Sequence, residues 1–158
     1  MVVSPVGSIG AEHFFFHRSV PLMLLAGKWF VFWSAGVRLL LAGLTQLFRP
    51  QFTTDKIFGI ERSNSNSALP FVRELGIANF ATGVVGIASL AKPSFVLPVA
   101  ISAGIFYGIA GIRHAAEGSP AESKNAKKKR AASETIAMAS DLLAFLVFVA
   151  YVSYACVV

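Results

Sequence analysis

Apolar residues run along this chain in four long blocks separated by polar segments. The first is 29–48, WFVFWSAGVRLLLAGLTQLF, whose one charge is Arg38. It follows SVPLMLLAGK, which is nearly as apolar, with Ser19 suited to cap a helix and Pro21 suited to its first turn. A continuous helix over 19–48 would be about 45 Å long at 1.5 Å per residue, against a hydrocarbon core of about 30 Å. Either that helix projects from the bilayer or 13–27 forms a separate interfacial segment. HFFFHR at 13–18 has the aromatic and basic character of an interface.

The second block is 71–91, with Arg73 and Glu74 at its entrance and Pro70 at its start. The third, 95–112, carries no charge, and its Pro98 lies in the first turn, where a missing N–H costs little. The fourth, 136–158, has one charge, Asp141. Lys92-Pro93-Ser94 joins the second and third as a tight hairpin. The pattern predicts helices over about 20–48, 71–91, 95–113 and 135–157, with polar loops at 49–70 and 114–134. The first loop ends in Ser63-Asn64-Ser65-Asn66-Ser67, a flexible linker by composition, and the second holds Gly118-Ser119-Pro120 and a KKKR run. Residues 1–12 have no Lys or Arg and no apolar run, unlike a secretory signal peptide.

Composition gives the blocks their meaning. Of 158 residues, 55% are hydrophobic and 14% charged, and the mean hydropathy is +0.65. Ordinary soluble domains carry about 25% charged residues, and a chain this short cannot hide so much apolar surface in a water-soluble globule. The expected class is all-α: a four-helix transmembrane bundle with an interfacial N-terminal segment, one integral membrane domain over 1–158. That excludes a disordered chain, a disulfide scaffold and a soluble α/β enzyme.

The net charge of +6 is read as topology rather than nucleic-acid binding, because no aromatic platform for bases interleaves with the cations. Five of the fourteen cations are Lys124, Lys127, Lys128, Lys129 and Arg130. With Arg49, Lys56, Arg62, Arg73 and Arg113 they flank the two long loops, while Arg18, Lys92 and Lys28 mark the other side. Cations accumulate on cytoplasmic loops, so both termini are expected outside and both loops in the cytoplasm. The cluster Lys127–Arg130 is a solvated charge patch or a site for anionic lipid.

Charges within a spanning helix are costly, roughly 2.5–3.5 kcal/mol each on the insertion scale, and find partners in the protein interior. Depth arithmetic puts Arg38 about 15 Å from the Phe48 end of the first helix, Asp141 about 9 Å into the fourth, Asn79 about 12 Å and Glu74 about 4 Å into the second, and Tyr107 about 9 Å from the end of the third. Arg38 would reach toward Asp141 or Glu74. Two readings stand: an ion pair that fixes helix packing, or a polar pocket of Arg38, Asn79, Tyr107 and Asp141 for a lipid headgroup, a quinone head or a proton. Glycines at 36, 43, 76, 83, 86, 104, 108 and 111 allow helices to approach closely. Trp29, Phe30, Phe32 and Trp33, with Tyr151 and Tyr154, resemble an aromatic belt.

His13 and His17 lie at i,i+4, a metal-capable spacing, but only Glu12 is near, and no metal site is expected. His114 falls at the opposite membrane face from them, which disfavours a bis-histidine haem. Ser140 neighbours Asp141, but adjacent helical residues do not face one another, so no nucleophile–base pair forms. Cys156 is the sole cysteine and permits no internal disulfide.

Several segments carry a resemblance: FHRSVPLMLLAGKWFVFWSAGVRLLLAGLTQLFRPQFT, IFGI, LPFVRELGIANFATGVVGIASL, the glycine-rich third helix ending GIRH, and ETIAMASDLLAFLVFVAY. Over most of 14–154 the chain resembles an uncharacterised family of small multi-pass bacterial inner-membrane proteins. RLLLAG followed by three further helices is similar, more distantly, to DoxX-like four-helix membrane proteins. The resemblance implies a bacterial inner-membrane location and carries no catalytic residues. DoxX-like proteins are associated with redox or thiol-related complexes, but this chain lacks the paired cysteines such chemistry needs. The expectation is a non-catalytic membrane protein without a cofactor, an accessory or scaffold subunit of a membrane complex or a homo-oligomer. The alternatives are a binder or enzyme for a quinone or lipid, and an oligomeric proton or solute transporter.

Overall fold

In lipid every backbone N–H and C=O must be satisfied within its own segment, which favours helices over open strands. The computed structural model of the chain describes residues 3–16, 20–54, 62–117 and 124–157, with side chains described at all of these except 62–65, 114, 117 and 124–134. Among the described residues every regular element is helical: α1 (Val3–Phe15), α2 (Leu22–Phe30), a π-helical stretch (Val31–Val37), α3 (Arg38–Phe48), α4 (Pro50–Phe52), α5 (Arg62–Ala88), a 3₁₀ turn (Pro93–Phe95), α6 (Val96–Glu117) and α7 (Lys124–Ala155). Four segments are long and apolar enough to cross a membrane: Leu22–Phe48, Asn66–Ala88, Pro93–Arg113 and Thr135–Ala155. The all-α class and the four apolar helices are those the hydropathy pattern predicts.

The segments between them differ from expectation. The loop expected at 49–70 is helical in α4 and again from Arg62 onward. Ser and Asn cost only tenths of a kcal/mol each inside a helix, and burying Val72 with half-buried Ala68 and Leu69 rewards continuing the turn. Pro70 sits inside α5 on an exposed position. The loop expected at 114–134 is also largely helical, because α6 runs to Glu117 and α7 begins at Lys124. Ala, Lys, Arg and Glu are strong helix formers. Charge marks where a helix leaves the apolar layer without ending it. The segment 13–27 divides: 13–15 close α1, 22–27 open α2, and the expected cap Ser19 and His17 lie outside the described residues.

The chain divides into two compact units, Met1–Phe30 with Ala100–Val158, and Val31–Val99. In the second unit α3 runs antiparallel to α5, backbone on backbone. A Cβ built on Gly43 would meet Phe80 N at 2.5 Å and Gly76 O at 2.8 Å, and one on Gly86 would meet Gly36 N at 2.6 Å. Gly36 and Gly43, like Gly76 and Gly83, are seven residues apart, a spacing that keeps glycine on one stripe of each helix. The π-helical stretch places buried Ser34, Ala35 and Gly36 against this seam.

In the first unit α6 and α7 are antiparallel and meet differently. Gly104, Gly108 and Gly111 make hollows on α6 that Phe148, Phe145 and Leu142 of α7 fill. Buried Tyr107 stacks on Phe148, with ring centroids 6.3 Å apart. Gly27 of α2 leaves room for the Tyr151 ring, so Tyr151, 7% exposed, is a packing residue rather than part of an aromatic belt.

Candidate functional site

Two polar constellations emerge from these packings. In the second unit the Asn79 Nδ2 donates to Gln46 Oε1 at 2.9 Å. Both residues are nearly sealed, at 6% and 8% exposure. The close approach at Gly43 and Gly76 brings the two amides within reach. An interhelical side-chain hydrogen bond in an apolar setting contributes about 0.6–2 kcal/mol, and it removes the larger cost of leaving either amide unpaired.

In the first unit α1 folds against α2. The Glu12 carboxylate accepts from Lys28 Nζ at 2.8 and 2.7 Å and from Trp29 Nε1 at 2.6 Å. Lys28 also lies 5.0 Å from the Trp29 ring centroid. Lys28 is six residues into an apolar span, where an unpaired ammonium would be costly, so the carboxylate of α1 fits it to that position. Beside this cluster, Ser8, Ala11, Glu12, Phe16 and Trp29 line a cavity of about 350 Å³. Trp29 therefore serves as a hydrogen-bond donor to α1, beyond the belt role its sequence suggests. The edge-to-face contact of Phe32 with Trp33, centroids 5.1 Å apart, keeps the aromatic character of the next turn.

The expected polar layer is distributed over both units. Arg38, Glu74 and Asn79 belong to one, and Tyr107 and Asp141 to the other. Arg38 is half-buried at the start of α3, Glu74 is exposed on α5, and Tyr107 and Asp141 are buried at 0% and 3%. The α3–α5 register sets Glu74 about 15 Å along the axis from the level of Arg38, too far for the pairing considered from depth alone. Asn79 pairs with Gln46.

Sequence reasoning passed over Gln46 and Glu12. Gln46 is the one amide side chain in 29–48, as Asn79 is in 71–91, and two lone amides on consecutive apolar helices are a signal for a pair. Glu12 is the one acid in the first 60 residues apart from Asp55.

His13 is half-buried and edge-on to Phe14, with centroids 5.5 Å apart and Nδ1 without a hydrogen-bond partner. Among the described residues no group of three His, Cys, Asp or Glu is placed to hold a metal ion. Cys156 is a free, exposed thiol. The side chains of the Lys127–Arg130 cluster and of His114 lie outside the described residues.

Fold and site together define an all-helical protein whose four apolar helices suit a lipid bilayer and in which the Gln46–Asn79 and Glu12–Trp29 hydrogen bonds join helix to helix. The chain belongs to a family of unknown function, DUF6790, which matches residues 2–155. No curated protein and no solved structure matches it.

Proposed function

We propose that this is a multi-pass protein of the bacterial inner membrane that acts without catalysis, as an accessory or scaffold subunit of a membrane complex. The observation that carries the reading is the Gln46–Asn79 pair, a buried polar contact that fastens α3 to α5. The outer faces of the helices support it. Phe71, Ile77 and Val84 on α5 and Ile136, Leu146 and Val149 on α7 are all exposed, a broad apolar surface for lipid or for neighbouring helices. The cation excess around 49–70 and 114–134 supports placing those segments in the cytoplasm and both termini outside. The likeness of RLLLAG and the following helices to DoxX-like proteins supports a small-subunit role.

Cross-linking in intact membranes followed by native mass spectrometry tests this reading. Discrete polypeptides, or further copies of this chain, at fixed stoichiometry are the expected result. Bare chain carrying one stoichiometric quinone would overturn it. That outcome would favour the second reading, a binder of a hydrophobic molecule, for which the roughly 350 Å³ cavity beside Glu12 and Trp29 is the supporting observation.

A further inference from the structure

The first span ends in an elbow at Arg49-Pro50. Arg49 precedes a proline, and a pre-proline residue is pushed out of the helical region by the proline ring. Its backbone accordingly sits at φ −134°, ψ 55°, and Pro50 opens α4 in a new direction. Two hydrogen bonds close the elbow, Arg49 N to Thr45 O at 2.8 Å and Phe52 N to Arg49 O at 3.0 Å. Pro50, Thr53 and Thr54 are buried and anchor α4, so the other side of the elbow is turned outward. There Leu44, Thr45, Phe48, Arg49 and Phe52 line a notch of about 410 Å³. Phe48 and Phe52 are 79% and 52% exposed, one on each side of Arg49.

The chemistry of this lining is narrow. The Thr45 hydroxyl donates to Leu41 O, which leaves the Arg49 guanidinium as the side-chain donor of the notch. Among the described residues no carboxylate pairs with Arg49. Arg49 is also the first residue beyond the apolar span that ends at Phe48, which is the level of lipid headgroups. A single fork-shaped cation between two aromatic walls, at that level, matches a molecule with a phosphate at one end and hydrocarbon at the other.

We propose that the elbow holds one anionic phospholipid, with its phosphate on the Arg49 guanidinium and the first part of an acyl chain against Phe48, Phe52 and Leu44. This site is separate from the Lys127–Arg130 cluster and does not depend on the scaffold reading. Charge draws the headgroup in, and the aromatic walls distinguish an intact lipid from a free anion.

The test is lipid retention by the full-length chain. The protein is reconstituted with equal phosphatidylglycerol and phosphatidylcholine, extracted in mild detergent and weighed by native mass spectrometry. A background in which Lys124, Lys127, Lys128, Lys129 and Arg130 are all replaced by Gln removes the other cationic patch. In that background one retained phosphatidylglycerol per chain is expected. Arg49→Gln should cut its enrichment over phosphatidylcholine about fivefold, and Arg49→Lys should keep part of it. Phe52→Ser should lower retention of both lipids, and it serves as the independent variant if Arg49→Gln misfolds by circular dichroism. Undiminished enrichment in Arg49→Gln and Phe52→Ser, or no retained lipid in the background chain, would overturn the proposal. So would displacement by millimolar inorganic phosphate, which would mark a simple anion site, or retention of a neutral quinone in the lipid's place.

Discussion

The two helical hairpins solve one problem in opposite ways. Lipid tails are as apolar as leucine, so helices gain little from merely hiding apolar side chains and must associate through packing and hydrogen bonds. In the α3–α5 pair, glycine on one helix faces backbone on the other, and an amide pair closes the seam. In the α6–α7 pair, glycine on one helix faces Phe or Leu on the other, and Tyr107 stacks into the same layer. The first arrangement has no movable part at its closest points. The second is a set of hollows filled by side chains that can change rotamer. Glycine content alone does not separate the two; the partner atom does.

Substitutions that fill the seams break this comparison open. The largest effect is expected at Gly43→Ala. Its new methyl would lie 2.5 Å from Phe80 N and 2.8 Å from Gly76 O, and neither can move without shifting α5. A loss of about 2–3 kcal/mol in unfolding from micelles is expected. No truncation of a neighbouring side chain should restore it; recovery by Phe80→Ala would mean the seam is softer than described.

The amide pair comes next. Gln46→Leu or Asn79→Leu alone strands the other amide in a sealed site, at a cost of about 1–2 kcal/mol. The double variant should recover much of that loss, as a double-mutant cycle would show. Strict additivity would indicate that the two amides do not depend on each other.

The smallest effects belong to the α6–α7 hollows, and they are graded. A Cβ on Gly108 meets the Phe145 ring at 2.9 Å, whereas one on Gly104 meets Phe148 Cβ at 3.3 Å. Gly108→Ala should cost about 1 kcal/mol and be rescued by Phe145→Leu. Gly104→Ala should be near neutral, because helix propensity returns up to about 1 kcal/mol. A Gly104→Ala penalty matching that of Gly43→Ala would erase the distinction between the hairpins.

Much of this architecture is legible without coordinates. A run of about twenty apolar residues has to be a helix in lipid, and among the described residues four helices are long and apolar enough to cross a membrane. The glycines, too, announce close contacts. The helical extensions were harder to read, because Ser-Asn and Lys-rich segments have the composition of loops while their helical cost is small. Among the candidate site residues, Asn79 is visible as a polar group in an apolar helix, but its partner Gln46 is not, because depth along one helix does not say which residue of another it faces. With α5 beginning at Arg62, register rather than depth from a helix end decides which residues face each other.

The class, the four apolar helices and the places where helices can touch follow from local composition and from the backbone's need for internal hydrogen bonds. What each glycine faces, the meeting of Gln46 with Asn79, and the reach of Glu12 back to Lys28 and Trp29 come from helix packing. The polar contacts among them join residues 16 to 33 positions apart. They depend on the rotation and register of one helix against another, which hydropathy along a single chain does not encode.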